Sequence, residues 1–148
     1  MTEGPGRVLV AEDEEHLGLL LAQYLRGRGY EVTLVRDGPA AVAALRGEVF
    51  DAAVVDVQMP GADGFAVLAA ARATGRPAEV VVASGNATRE TAVAALRGGA
   101  HGVVAKPYRM AEVELVVQRA VETRRLRDQV ARLERQLEDE LRSRGARP

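Results

Sequence analysis

Residues 101–110, HGVVAKPYRM, hold the one lysine of the chain, Lys106, directly before Pro107; the other 19 basic residues are arginine. A lysine ammonium is a compact point charge on a flexible stem, whereas guanidinium is a broad planar fork. A tight site for a single phosphate oxygen favours the first. Three other segments end in polar groups of related use: Glu12-Asp13-Glu14 follows one apolar run, Asp56 stands near the end of a second, and Ser84-Gly85 ends a third. Carboxylates brought close together repel and must be compensated. Mg²⁺ keeps several waters and takes one or two carboxylates plus phosphate oxygens, so Glu12, Asp13 and Asp56 suit it better than a caged Ca²⁺. Asp56 would then be a nucleophile toward a phosphoryl group, giving an aspartyl phosphate. Its charge needs Mg²⁺ on one side and Lys106 on the other, with Ser84 hydrogen-bonding a phosphate oxygen. Taken singly, each residue has a plainer reading: Asp56 as a helix cap, Ser84 as a turn residue, Glu12 and Asp13 as N-cap acids. Only joint placement separates the two readings. His16 and His101 lie far apart, show no ligand spacing and read as ordinary.

That placement depends on the elements carrying these residues. RVLVA (7–11) is a short apolar run that reads as a buried strand, and EVTLV (31–35), DAAVVDV (51–57), EVVVAS (79–84) and the short GVVA (102–105) read as strands. Helical spacing at Leu17, Leu20, Leu21, Tyr24 and Leu25 predicts a helix over 16–29, and similar patterns predict helices over 39–48, 65–73 and 88–100. QMPGADG reads as a loop, and a last helix starts near Arg109. Near-continuous apolar strands imply a parallel sheet covered on both faces. Alternating strands and helices imply a doubly wound α/β sheet with right-handed crossovers. Five strands point to the flavodoxin-like order 2-1-3-4-5, with ligands bound beyond the carboxyl ends at the switch point between strands 1 and 3. Glu12, Asp13, Asp56, Ser84 and Lys106 all stand at that rim.

A chain of 148 residues, 47% apolar, suits one domain with a substantial core. Its formal net charge of -1 gives no pointer to direct nucleic-acid binding or to a membrane surface. With no cysteine there is neither a disulfide framework nor a thiolate metal site. MTEGPGRVLVAEDEE turns acidic after one short apolar run, unlike a signal peptide or membrane span, so a cytoplasmic location is expected.

Four segments together, VLVAEDEE, DAAVVDVQMPGADG, ASGNATRETAVAALRGGA and VVAKPY, resemble the receiver domain of bacterial two-component response regulators over roughly residues 6–122. The resemblance implies Asp56 as phosphoacceptor and Asp13, with Glu12 partly through water, as the Mg²⁺ acid pair. It also implies the Gln58 backbone carbonyl as a further metal ligand, and Lys106 paired with the phosphoryl group before a cis bond to Pro107. Ser84 matches the switch hydroxyl. The donor would be a phosphohistidine on a sensor histidine kinase or phosphotransfer protein. Two positions depart from the family pattern. Val103 stands where an aromatic switch residue is usual, so the face of helix 4, strand 5 and helix 5 is expected to respond by a smaller packing change. Glu12 replaces the commoner Asp, keeping the charge on a longer arm. Gln58 and Asn86 occupy positions that tune the lifetime of the aspartyl phosphate in the family.

From Met110 to Arg144 there is neither Gly nor Pro, enough for a helix of roughly 50 Å at ~1.5 Å per residue. Val113, Val116, Val117 and Ala120 have the spacing of a helix packed on the sheet. Leu126, Val130, Leu133 and Leu137 then step by 4, 3 and 4, as in a short parallel coiled coil that dimerises the chain, with Leu141 one residue out of register. This part resembles the linker after receivers of the nitrogen-regulator class. The expected organisation is a receiver over 1–122, a helical extension over 123–142 and a disordered end or linker over 143–148. Two other readings compete. One is a receiver fold used as an interaction module without phosphorylation, favoured by Val103 and opposed by the complete acid, Asp, Ser and Lys set. The other is a haloacid-dehalogenase-like phosphatase, which wants a second acid two residues after its nucleophile; Gln58 stands there instead. A flavodoxin is disfavoured because no hydroxyl-rich loop follows strand 1.

Overall fold

The computed structural model describes residues 4–61 and 63–145. In chain order the elements are β1 (Arg7–Ala11), α1 (Glu15–Gly27), β2 (Glu31–Val35), α2 (Gly38–Gly47), β3 (Ala52–Asp56), α3 (Gly64–Arg72), β4 (Glu79–Ser84), α4 (Arg89–Arg97), β5 (Gly102–Ala105) and α5 (Met110–Gly145). The strands pair in parallel in the order β2-β1-β3-β4-β5, the doubly wound arrangement that the alternation of strands and helices implies. Successive side chains of a strand point to opposite faces. Leu9, Val55 and Val82 meet Leu45, Val67, Leu68 and Ala95 from α2, α3 and α4 on one face. Val10, Val54 and Val81 meet Leu21, Leu25, Val113 and Val117 from α1 and α5 on the other. Burial on both faces is why β1, β3 and β4 read as near-continuous apolar runs, while the edge strands β2 and β5 are only partly covered.

Helices α2, α3 and α4 start where a side chain satisfies an otherwise orphaned backbone N–H. Asp37 accepts from Ala40 N at 2.7 Å, Asp63 from Ala66 N at 2.9 Å and Thr88 from Thr91 N at 3.2 Å. Gly29 and Gly99, with φ of 98° and 95°, turn the chain after α1 and α4, a conformation that costs glycine little. This shortens both helices relative to the sequence reading: α1 ends at Gly27 and α4 at Arg97. Leu20, read as part of the buried stripe of α1, is 55% exposed; the buried positions are Gly18, Leu21, Ala22 and Leu25.

Helix α5 is one unbroken helix of 36 residues. Residues 143–145, expected to belong to a disordered end or linker, are its last turn. No proline interrupts them, and Arg144 donates to Glu140 at 3.0 Å along the helix. Residues 146–148 lie outside the described residues. The contact of α5 with the sheet also runs past residue 122. Arg124 is buried and donates to Pro77 O at 2.6 Å and to Asp128 Oδ1 at 2.9 Å. Arg76 Nε donates to both oxygens of Asp128, at 3.0 and 3.1 Å, and Arg76 Nη2 donates to Asp51 Oδ1 at 3.1 Å. Arg127 pairs at 2.9 Å with Glu79, an acid only 2% exposed at the start of β4. A clasp of arginines and acids thus ties α5 to the amino-terminal end of the sheet, opposite the acidic rim.

The hydrogen bond from Arg76 holds the Asp128 carboxyl below the usual carboxylate range, against the opposing effect of burial. A depressed folded pKa gives stability that is present above the ordinary carboxylate pKa and lost as pH falls through the folded value. Asp128→Asn is expected to cost about 1–2 kcal/mol near pH 7, the worth of charge-assisted hydrogen bonds. In urea titrations the gap between variant and wild type should close as the solution is acidified. A gap that persists at acid pH would assign the loss to packing.

Candidate functional site

Glu12 leaves β1 with its backbone N–H on Val35 O at 3.0 Å and its side chain buried beside α1. Asp13, the next residue, is exposed. Asp56 ends β3 and is 7% exposed; Ser84 ends β4 and is 4% exposed. Asp56 is in register with Ala83, so Ser84 lies one step further along the neighbouring strand. Lys106 follows β5, its backbone N–H on Ser84 O at 2.8 Å, and the Lys106–Pro107 peptide is cis.

These ends converge. Lys106 Nζ donates to Asp56 Oδ2 at 3.0 Å and lies 2.5 Å from Glu12 Oε1. Gln58 N donates to Asp56 Oδ1 at 3.1 Å, Glu14 N to Glu12 Oε2 at 3.2 Å, and Asn86 N to Ser84 Oγ at 3.1 Å. Among the described residues, Glu12, Asp13 and Asp56 place one carboxylate oxygen each within 4.8 Å of one another. One ammonium therefore sits between two carboxylates of a cluster of three. Burial pushes the Glu12 carboxyl up to about 7 against the pull of Lys106, and neighbouring Asp56 adds to the rise. Burial works against the charge on Lys106, but its bonds to Glu12 and Asp56 outweigh that and hold it above the usual lysine value. Burial, with the Glu12 charge nearby, pushes the Tyr108 phenol up to about 12, so this ring stays neutral beside the site.

The plainer readings of the acids meet a direct alternative. The side-chain caps of α2, α3 and α4 are Asp37, Asp63 and Thr88, and Glu14 stands at the cap of α1. Asp56, Glu12 and Asp13 occupy none of these positions. Val103 pairs with Val82 in the sheet, half-buried on the face covered by α2, α3 and α4. Strand alternation puts it on the same face as Ser84. Leu126, Val130, Leu133 and Leu137 stand well away from the rim on the free part of α5, each more than half exposed.

Gly64 is a residue that the sequence reading left in a loop. Its N–H donates to Val57 O at 2.8 Å, and a Cβ there would meet Asp56 O at 2.6 Å and Val57 Cα at 2.8 Å. The start of α3 thus presses on the peptide that carries Asp56. A glycine directly after the capping Asp63 is the signal that could have shown it.

The chain belongs to the response regulator receiver domain family, whose profile matches residues 8–118. Members of this family are phosphorylated by a kinase. Among similar proteins, the alginate biosynthesis transcriptional regulatory protein AlgB of Pseudomonas aeruginosa is 33% identical over 144 residues, covering 97% of this chain and 31% of AlgB. A crystal structure of NtrX from Brucella abortus in complex with ATP is 32% identical with a TM-score of 0.79, over 87% of this chain and 30% of that one. The receiver domain of sensor histidine kinase PA1611 from Pseudomonas aeruginosa, with a magnesium ion coordinated in its active-site cleft, is 29% identical with a TM-score of 0.71, over 79% of this chain and 98% of that one. The chain spans less than half the length of the first curated relatives it matches. No described helix is long and apolar enough to cross a membrane.

Proposed function

We propose that Asp56 is the phosphoacceptor of a switch driven by a sensor histidine kinase or phosphotransfer protein. The observation that carries this reading is the Lys106 ammonium held between Asp56 and Glu12 at 3.0 and 2.5 Å. It sets a cation where a phosphoryl oxygen on Asp56 would lie. An Asp56 carboxylate oxygen attacks phosphorus and the P–N bond of the phosphohistidine breaks. The electron pair stays on the departing imidazole nitrogen. Lys106 offsets the charge delivered to the site, and the Ser84 hydroxyl can donate to a phosphoryl oxygen.

The cluster of three carboxylates with one ammonium carries excess negative charge and oxygen donors alone, which fits Mg²⁺. Glu12, Asp13, Asp56 and the Gln58 backbone carbonyl would hold it. When bound, Mg²⁺ neutralises charge on the transferring phosphoryl group. With Val103 in the switch position, movement of Ser84 would reach α4, β5 and α5 through packing of a small side chain rather than through an aromatic rotamer. The output we assign is a change in protein–protein contacts, including dimerisation through the free part of α5 by Leu126, Val130, Leu133 and Leu137. We place this chain in the cytoplasm and assign its receiver no direct contact with nucleic acid, in keeping with a formal net charge of -1.

Incubation of the intact chain with acetyl phosphate and Mg²⁺ is expected to give a single phosphoryl adduct by intact-protein mass spectrometry; no adduct would favour the interaction module instead. Lys106→Arg keeps the charge but replaces a point donor with a planar fork too broad for the gap between two carboxylates. It is expected to lower the yield of adduct at least ~10-fold at equal fold stability. An undiminished yield would remove Lys106 from the mechanism.

A further inference from the structure

The loop that follows Asp56 is tied at two points. On the strand side Val57 N donates to Ala83 O at 2.9 Å, and Val57 O accepts from Gly64 N at 2.8 Å. On the far side Pro60 O accepts from Gly38 N, the first backbone donor of α2, at 3.1 Å. The first donors of a helix have no acceptor within it. In α2 the N–H of Ala40 goes to Asp37 Oδ1 at 2.7 Å and Pro39 has none, which leaves the N–H of Gly38 for the loop. Beside that bond Gly61 takes φ 86°, a conformation that costs glycine little. A Cβ at Gly61 would meet Pro39 Cδ at 2.8 Å and Pro39 Cγ at 2.9 Å. Gln58 and Met59 are strung between the two anchors, with Met59 packed against the core and Gln58 N on Asp56 Oδ1.

We propose that α2 braces this loop, with Pro39 and Gly61 as positioning residues that set the Gln58 backbone carbonyl for Mg²⁺. This rests on the metal reading given above and adds the support of one ligand by a separate element. Among the other donors, Asp56 ends β3, and Glu12 is bonded into the sheet through its N–H on Val35 O. The Gln58 carbonyl is a backbone group with no rotamer to correct its aim, so its place is that of the loop. Mg²⁺ demands a near-octahedral set of oxygens, so a ligand carried on a slack loop lowers affinity. Groups that hold a ligand in place are worth roughly 10–100-fold in metal affinity. Pro39 is exposed, so its ring adds little to the core and its contact with Gly61 can be removed without unfolding the chain. The coupling is reciprocal: bound Mg²⁺ must steady the brace as the brace steadies Mg²⁺, which makes the Gly38 amide a reporter of metal binding.

Calorimetric titration of the full chain with Mg²⁺ alone, beside urea denaturation of the same samples, tests the brace. Pro39→Ala is expected to raise the Mg²⁺ dissociation constant about 10-fold with the urea midpoint unchanged, and Gly61→Ala to raise it at least ~30-fold. In the double variant the added methyl no longer meets the ring, so affinity should recover part of what Gly61→Ala alone loses. In amide hydrogen exchange, Mg²⁺ should slow Gly38 in the wild type and leave it unchanged in Gly61→Ala. At saturating Mg²⁺ the rate of adduct formation by Pro39→Ala should return to within ~3-fold of wild type, the mark of a misplaced ligand rather than of lost chemistry. Equal Mg²⁺ affinity in the wild type and both single variants would overturn the brace and leave the metal site standing. So would an affinity that falls only in step with the urea midpoint, or a double variant weaker than Gly61→Ala. A wild-type chain that takes up no Mg²⁺ would overturn the metal reading and the brace with it.

Discussion

Asp56→Asn is expected to abolish phosphoryl acceptance while leaving the fold intact. The amide that replaces the carboxylate lacks an anionic oxygen to attack phosphorus at the atom that Lys106 faces. Yield of adduct from acetyl phosphate and Mg²⁺ should fall at least ~100-fold, as losing a nucleophile does elsewhere. Stability should move by no more than ~1 kcal/mol, because relief of repulsion among three carboxylates offsets the ion pair lost to Lys106. Intact-mass measurement beside urea denaturation separates the two effects. An adduct of equal yield in the variant would place the acceptor elsewhere.

Gly64→Ala should have the largest effect on the fold of any single methyl group near the site. The added carbon would sit 2.6 Å from Asp56 O and 2.8 Å from Val57 Cα, and both are backbone atoms held within the sheet. Val57 N is already engaged with Ala83 O at 2.9 Å, so the peptide cannot yield without disturbing β4. Either α3 moves away or the end of β3 shifts. We expect a loss of about 3 kcal/mol, toward the upper range for overpacking. In whatever fraction remains folded, phosphorylation should slow, since the carboxylate of Asp56 follows its own backbone. Denaturation midpoints and initial rates of adduct formation report both. A variant as stable as wild type would require a looser junction between β3 and α3.

Local pattern made the fold and the rim readable. Apolar runs such as RVLVA and EVVVAS become strands over the residues expected because burial on both faces demands continuous hydrophobicity. Topology then carries their carboxyl ends to one rim, which is how the sequence groups Glu12, Asp56, Ser84 and Lys106. Helix ends were less legible. Turns made by Gly29 and Gly99 cut α1 and α4 short, and helical periodicity placed Leu20 on the wrong side of the buried stripe. Gly64 and the clasp were not legible at all. A close approach between a helix start and a neighbouring strand leaves no periodic trace. Nor does a bond between Arg76 and Asp128, 52 positions apart in the chain. Glu79 carried no signal of its own in the sequence, yet it is buried, with Arg127 reaching back from α5 to meet it.

The unbroken course of α5 has a mechanical consequence. Its first half is embedded in the domain and its second projects past the clasp with no joint between them. From Asp128 to Gly145 the projection is ~25 Å at about 1.5 Å per residue. A tilt of about 10° at its root would sweep the tip through roughly 4 Å, most of one helical turn. Displacements too small to notice inside the receiver would thus be magnified at the far end of the rod, and the stiffness of the Arg76–Asp128 anchorage would set the gain.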